Sequence, residues 1–169
     1  MKALEVKNLT KEAFAPFGDV IEAGLDRPVM INEGTTKRYH NLAEVDVGCE
    51  GGKPLINIFR GQPRPQPIEI RMMEKHPLGS QAFIPQSARP YYVVVAKPSD
   101  LVRPSDLHCF LARAGQGVNY AKNVWHHPLL ALEDVSDFLV IDRGGPGDNL
   151  IEVFFDKSDY IYLIKQDGS

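Results

Sequence analysis

Short runs of β-branched and aromatic residues recur along the whole 169-residue chain, and each run is bounded by Gly, Pro, Asn or Asp. Val, Ile, Tyr and Phe favour extended backbone, whereas the bounding residues favour turns. Many short strands in close succession are typical of a β-barrel or a β-sandwich. The sequence therefore predicts an all-β fold, with strands in residues 18–22, 55–59, 67–71, 82–84, 91–95, 138–141 and 151–155.

Helical signals are few and short. Thr10 is a capping residue ahead of helix formers, but Phe17 and Gly18 end that helix within about two turns. Residues 98–101 and 104–107 each place Ser and Asp after a Pro, which predicts turns or one short helix. None of these segments is long enough to cover a sheet, so we expect only a few short peripheral helices.

Proline and glycine are spread along the chain without a concentration that would mark a linker. We therefore expect a single domain over residues 1–169, with residues 156–169 peripheral to it. The alternating prolines of residues 62–67 predict an extended connector between two strands, because Pro lacks the N–H that a central strand needs.

Composition excludes several classes of protein. The 19 Lys and Arg against 22 Asp and Glu give a net charge of -3, so the chain lacks the basic surface that nucleic acids require. No apolar run approaches the roughly 18 residues of a membrane span, and the first residues contain no signal-peptide core. Cys49 and Cys109 lie in no metal or redox spacing. We expect a cytoplasmic protein with reduced thiols, a small-molecule substrate, and no nucleic-acid or membrane partner.

The residues suited to chemistry form two main clusters. Glu74 and His76 are two positions apart, so on a strand they face the same side, and a Pro-Leu-Gly turn can bring Gln81 back beside them. Side chains alternate between the two faces of a strand, so in the segment from Trp125 to His127 one histidine points into the barrel and the other points outward. We expect His126 to be the inward one. Glu74, His76 and His126 are therefore the catalytic candidates.

Two alternatives compete with that interpretation. Glu74 could pair on the surface with Arg71 or Lys75 while His76 occupies a turn. Either histidine of the second cluster could be a core residue satisfied by one backbone hydrogen bond.

The spacing of these residues resembles that of cupins, which hold a metal with two histidines one residue apart, an acidic residue four or five positions later, and a later histidine. On this pattern Glu74 and His76 take the paired positions, Gln81 the acidic one and His126 the last. Such a set can bind a divalent ion such as Ni²⁺, Mn²⁺ or Zn²⁺, although a neutral amide is a weak ligand. The expected fold is a cupin-like barrel or sandwich, and no organic cofactor is indicated.

Other polar residues are candidates for binding a substrate. Arginine at the end of a barrel strand can bind a carboxylate through two parallel hydrogen bonds, although a solvated surface position is the alternative for each one. There is no phosphate-binding glycine loop and no nucleophile elbow, so nucleophilic catalysis is not indicated. The substrate-binding candidates are Arg38, His40, Arg60, Arg71, Gln81, Asn119, Tyr120, Lys122 and Trp125.

Seven segments together resemble the ureidoglycolate lyase family, over nearly the whole chain from about residue 4 to residue 155. The longest stretches run from Glu74 to Pro85 and from Gly115 to Leu129, the second of which joins two of the segments, and both are composed of unusual residues. Gly61 and Lys75 depart from the family, which usually has Ala and Arg there. The full set comprises residues 31–34, 38–40, 60–63, 74–85, 115–120, 124–129 and 142–145.

The resemblance implies a lyase that converts (S)-ureidoglycolate to glyoxylate and urea in allantoin (purine) degradation, with a cupin-like fold, a homodimer and Ni²⁺ as a metal. The reaction needs a general base, a general acid and a carboxylate anchor, which Glu74, His76, His126, an arginine and Asn119 can supply. An open edge beside residues 91–95 would be a natural surface for pairing two subunits.

Three other functions fit the same residues. A non-catalytic barrel could hold glyoxylate or a related acid as a sensor. A metal cupin could catalyse another reaction, such as isomerisation of a keto acid. A hydrolase could release ammonia instead of urea, which would require a water-activating metal at the ureido carbonyl.

Overall fold

The protein is described by a computed structural model that covers residues 2–164, and this part of the chain is almost entirely β-structure. The first eight strands are β1 (Lys2–Ala3), β2 (Val6–Asn8), β3 (Gly18–Ile21), β4 (Val29–Ile31), β5 (Thr36–Arg38), β6 (Lys53–Gly61), β7 (Ile68–Ile70) and β8 (Met72–Lys75). They are followed by β9 (Gln81–Pro85), β10 (Tyr91–Ala96), β11 (His108–Ala112), β12 (Gly117–Tyr120), β13 (Trp125–His126), β14 (Leu130–Ala131), β15 (Ser136–Gly144), β16 (Ile151–Phe154) and β17 (Ile161–Leu163).

Helices are short throughout the described residues. The α-helix α1 spans Lys11–Phe14, and Thr10 caps it by accepting a hydrogen bond from the backbone N of Ala13 at 3.1 Å. None of the described helices is long and apolar enough to cross a membrane. Four single-turn 3-10 helices occupy Asn32–Gly34, Cys49–Gly51, Pro104–Asp106 and Lys157–Asp159.

The predicted strands are confirmed, because each of the seven apolar runs contains a strand of the structure. The capped helix after Thr10 is confirmed as well, and the 3-10 helix Pro104–Asp106 lies in one of the two predicted turn segments. Residues 62–67 connect β6 to β7 without strand structure, as the alternating prolines predict.

Three sheets stack around two hydrophobic cores. The first core lies between the five-stranded sheet, ordered β3-β12-β9-β15-β6, and the seven-stranded sheet, whose main path is β16-β8-β13-β10-β11-β2. The second core lies between the outer face of the seven-stranded sheet and a small sheet, ordered β1-β17-β7. This arrangement is an all-β, cupin-like sandwich.

Strand β10 lies between the two cores, and this position explains why its sequence is apolar at every residue. Val93 and Val95 pack in the first core, whereas Val94 and Ala96 pack in the second. Full burial of one such side chain contributes about 1.5–3 kcal/mol. Both faces of the seven-stranded sheet are therefore shielded from water at β10, and neighbouring strands have two buried faces as well.

The prediction of an open edge beside residues 91–95 is wrong. Strand β10 pairs with β11 on one side and with β13 and β14 on the other, and all six of its residues are buried. A run that is apolar on both faces belongs in the interior of a sheet. The five-stranded sheet instead ends at β6, which pairs with β15 and leaves Ile56 and Ile58 75% and 55% exposed.

The segment from residue 156 onward is less peripheral than the sequence predicts. Strand β17 pairs with β1 and β7, and Ile161 and Leu163 are buried in the second core. The apolar alternation of Ile161 and Leu163 accounts for this packing. Residues 165–169 lie outside the described part of the chain.

Candidate active site

Three chemically reactive side chains meet on the inner face of the seven-stranded sheet. Glu74 on β8 and His126 on β13 are directly paired across the two strands, and His76 follows β8 by one residue. Nε2 of His126 lies 3.4 Å from Oε1 of Glu74, and Nε2 of His76 lies 4.0 Å from the same oxygen. The structure thus brings together the three residues that the sequence proposes as catalytic.

Backbone carbonyls fix the protonation of both imidazole rings. Nδ1 of His126 lies 3.2 Å from the carbonyl oxygen of Val124, and Nδ1 of His76 lies 2.7 Å from that of Asn149. A carbonyl oxygen can only accept, so each Nδ1 carries the proton and donates. In the neutral ring, Nε2 then has a free lone pair, and both lone pairs lie beside Glu74.

Gln81 adds a fourth acceptor to this group. Its amide nitrogen donates to Oδ2 of Asp142 at 3.3 Å, which leaves its oxygen 3.2 Å from Nε2 of His76. Two imidazole nitrogens, one carboxylate and one amide oxygen therefore converge with no proton donor between them.

That convergence fits a bound cation. Nε2 of His126 is buried without a hydrogen-bond partner, because 3.4 Å exceeds a normal hydrogen bond to Glu74. One ligand atom from each of Glu74, His76 and His126 lies within 4.8 Å of the other two. Imidazole and carboxylate groups suit divalent transition metals, so the donor set matches a metal centre.

Burial controls the charges of this group. Burial lowers the pKa of His126, and it outweighs the opposing effect of the Glu74 carboxylate, so the ring is neutral at pH 7. Burial acts to raise the pKa of Glu74, but His126, His76 and His127 together lower it below its ordinary value. The ring of Tyr120 stacks on His126 at 4.3 Å, and burial raises the pKa of its hydroxyl. The site therefore combines an ionised carboxylate with a neutral buried imidazole.

Two cavities meet at Gln81 and flank the three residues. The first has a volume of about 260 Å³ and is lined by His76, Ser80, Gln81, Asp142, Arg143, Asn149 and Leu150. The second has a volume of about 320 Å³ and is lined by Phe59, Arg60, Gly61, Glu74, Gln81, Phe83, His126, Pro128 and Leu129. The polar first cavity has room for a small acid of a few heavy atoms.

Several predicted substrate-binding residues lie on the wrong face of their strands. Trp125 precedes the inward His126 on β13, so it points into the second core, where it is fully buried and its Nε1 donates to Ser99. Asn119 is one position from the inward Tyr120 on β12, and its amide donates to Asp19 and to the carbonyl of Glu44. Neither residue lines either cavity.

The predicted cationic anchors are occupied by other partners. Arg60 lines the second cavity, but it forms two hydrogen bonds of 2.8 and 2.9 Å with the carboxylate of Asp137. Arg71 pairs with Glu69, Lys122 pairs with Asp46, and Arg38 contacts His40 at 2.8 Å on an exposed hairpin. Arg38, His40, Arg71 and Lys122 line neither cavity.

His127, which the sequence predicts to face outward, is not open to solvent. His127 is 4% exposed, its Nδ1 donates to the carbonyl of Pro128 at 2.8 Å, and burial lowers its pKa to about 4. The preceding Trp125 is buried together with Ile70 and Ile161 of the third sheet, so the outer face of the seven-stranded sheet is covered at β13.

The structure adds residues that sequence reasoning missed. Asp142 and Arg143 at the end of β15, together with Ser80 and Asn149, line the first cavity. Residues 142–145 are one of the segments that resemble the family, so the sequence did mark them as notable. Nothing in their spacing, however, linked them to Glu74 or His76. Charged residues at the end of a long apolar strand are the pattern that could have identified it.

Comparison with known proteins identifies the family of this chain. A family model described as ureidoglycolate lyase matches residues 1–162. The ureidoglycolate lyase of Burkholderia mallei is 59% identical over 152 residues, which are 90% of this chain and 89% of that protein. The ureidoglycolate lyase of Brucella melitensis is 58% identical over 165 residues, covering 98% of this chain and 96% of the relative. The chain therefore belongs to the ureidoglycolate lyase family.

Proposed function

We propose that this protein is a lyase that cleaves (S)-ureidoglycolate to glyoxylate and urea. The observation that carries the proposal is the convergence of Glu74, His76 and His126 between two cavities, in a chain that belongs to the ureidoglycolate lyase family. The substrate carries a hydroxyl and a ureido group on one carbon beside a carboxylate. Its cleavage requires proton transfers and no nucleophile, and the site offers those groups.

Glu74 is the group best placed to move the proton. Its lowered pKa keeps it ionised at neutral pH. Oε1 faces both histidines, so we assign the second oxygen to the substrate hydroxyl. As the hydroxyl proton passes to Glu74, the carbon–nitrogen bond breaks and the hydroxyl oxygen becomes the aldehyde oxygen of glyoxylate. The ureido nitrogen was bonded to the same carbon, so the carboxyl group returns the proton to that nitrogen and urea departs.

His126 and His76 support this transfer through fixed positions. Their Nδ1 protons are held by the carbonyls of Val124 and Asn149, which orient both rings toward Glu74. Tyr120 stacks on the His126 ring and helps to hold that ring in place. The carboxylate and both rings are thus aligned before substrate binds.

Glu74, His76 and His126 would hold a divalent metal, and Gln81 is a candidate fourth ligand. Ni²⁺ is the metal we propose, on family resemblance and because imidazole and carboxylate ligands suit it. When bound, it would act as a Lewis acid on the oxygen atoms of the substrate.

We further propose a cytoplasmic homodimer of single-domain subunits that serves purine breakdown through allantoin, with no nucleic-acid or membrane partner. The two free cysteines support a reducing compartment. Strand β6 supports the dimer, because it is a nine-residue edge strand with exposed Ile56 and Ile58. Two copies of β6 can pair antiparallel about a twofold axis and cover these side chains.

Product analysis of the purified protein tests the proposed function. With (S)-ureidoglycolate we expect urea and glyoxylate in equal amounts, lower activity with EDTA, and recovery with Ni²⁺. His126→Asn should lower kcat/KM by roughly 10²–10⁴, whereas His108→Asn, at an exposed histidine outside both cavities, should leave it unchanged. Binding of glyoxylate without turnover would indicate a sensor, and ammonia in place of urea would indicate a hydrolase.

A further inference from the structure

Arg143 is a buried cation in the wall of the first cavity. It lies near the end of β15, is 8% exposed, and lines the cavity beside His76 and Gln81. Within residues 2–164, no carboxylate oxygen lies within 4.0 Å of its guanidinium nitrogens as an ion pair. Burying a charge without a counter-ion costs free energy, and an anionic ligand bound beside Arg143 would offset that cost.

The protein holds the guanidinium group through backbone carbonyls only. Nε and Nη2 donate to the carbonyl of Cys49 at 3.2 and 2.9 Å, and Nη2 also donates to that of Pro146 at 2.7 Å. These carbonyl groups orient the guanidinium group but do not neutralise its positive charge. Nη1 has no acceptor among the described residues and is not one of their fully enclosed polar atoms, and Arg143 is one of the residues that line the cavity.

Two glycines make room for this side chain. A Cβ atom at Gly52 would lie 2.3 Å from Nε of Arg143, and one at Gly79 would lie 2.7 Å from its Cβ. Any larger residue at either position would displace the arginine. The surrounding chain is therefore shaped to hold Arg143 in one position.

The neighbouring Asp142 does not neutralise Arg143. One of its carboxylate oxygens accepts from the amide of Asn57 at 2.9 Å, and the other accepts from that of Gln81 at 3.3 Å. By contrast, Arg60 and Arg71 are each paired with a carboxylate of the protein. Of the two arginines that line the cavities beside Glu74 and His76, Arg60 is thus paired with a carboxylate and Arg143 is not.

We propose that Arg143 binds the carboxylate of the substrate and selects for small α-hydroxy acids over their neutral analogues. This inference rests on the proposed function. Nη1 would contact the carboxylate, while the adjacent carbon with its hydroxyl and ureido groups reaches toward His76 and Glu74. A guanidinium suits this task because its planar fork matches a carboxylate.

Selectivity between two substrates tests Arg143 without depending on the folded fraction of the variant. The substrates are (S)-ureidoglycolate and its carboxamide analogue, which lacks the negative charge. We expect the wild-type enzyme to prefer the carboxylate by at least about 100-fold in kcat/KM, and Arg143→Gln to reduce that preference roughly 10- to 100-fold, mainly through KM. Arg143→Lys should keep part of the preference, and Arg71→Gln should keep all of it.

An unchanged preference in Arg143→Gln would overturn the assignment, as would a fall in kcat at constant KM for both substrates. If the wild-type protein releases no urea, the proposed function fails, and calorimetry with glyoxylate then tests Arg143 by itself. Weaker glyoxylate binding in Arg143→Gln than in Arg71→Gln would support the anchor, and equal binding would refute it.

Discussion

Replacing Glu74 with Gln removes one negative charge from the centre of the site and leaves the shape of the side chain almost unchanged. The lost carboxylate faces Nε2 of His126 at 3.4 Å and Nε2 of His76 at 4.0 Å. Because we assign the proton transfer to this carboxylate, the variant should lose the contribution of a positioned general base. That contribution is about 10²–10⁴ in rate, or roughly 3–5 kcal/mol of transition-state stabilisation.

The same substitution should affect stability far less than activity. In the metal-free protein, Nε2 of His126 and Oε1 of Glu74 are both acceptors, so the amide of Gln can donate a hydrogen bond that Glu cannot. One neutral hydrogen bond contributes about 0.5–1.5 kcal/mol net. We therefore expect the Tm to change by no more than roughly 3–6 °C.

The assay is urea release under initial-rate conditions, combined with thermal unfolding of the same preparations. Glu69→Gln is the matched control, because Glu69 pairs with Arg71 and lines neither cavity. We expect the control to stay within about twofold of wild type. If Glu74→Gln kept kcat/KM within threefold of wild type, Glu74 could not be the proton carrier.

Four further predictions concern the fold, the buried thiol and the assembly. Gly18→Ala should destabilise the protein by more than about 3 kcal/mol in chemical unfolding. The φ of Gly18 is +145°, and the added Cβ would lie 1.8 Å from a backbone oxygen of β12. In the control Gly24→Ala the added Cβ meets no atom within 4 Å, so the variant should lose only about 1 kcal/mol of stability. Burial raises the pKa of Cys109 to about 12, so a thiol reagent at pH 8 should titrate only Cys49 in the native protein and both thiols after unfolding. The unfolded Cys109 thiol ionises near pH 9, so this group should also lower stability as the pH rises from about 9 toward 12, which alkaline unfolding of Cys109→Ala would test. Ile56→Lys on the exposed face of β6 should shift the protein from dimer to monomer in light scattering, and an unchanged dimer would place the interface elsewhere.

The sequence predicts the strands well because their apolar runs and turn residues are local signals. It also predicts the triad, since Glu74 and His76 are two residues apart on one face, and His126 matches the late histidine of the cupin pattern. The first inference needs only the period of a β-strand, whereas the second needs the resemblance to cupins. They extend to the metal set, whose members the structure brings together.

Positions that depend on distant parts of the chain were not predictable in this way. Period 2 does not say which face of β12 or β13 is inward, so Asn119 and Trp125 were assigned to the pocket although both face away from it. The third sheet, whose residues pack with Trp125, joins strands from both ends of the chain. Arg143 takes its partners from residues 49–50 and 146, and that neighbourhood has no sequence signature.

The most direct test of the central claim is the product balance from (S)-ureidoglycolate with purified, metal-loaded protein. Urea, glyoxylate and ammonia are measured together over the first turnovers, for wild type and for Glu74→Gln. The account predicts equal amounts of urea and glyoxylate with wild type, no ammonia, and a rate at least 100-fold lower with the variant. Ammonia in place of urea, or substrate binding without any product, would contradict it.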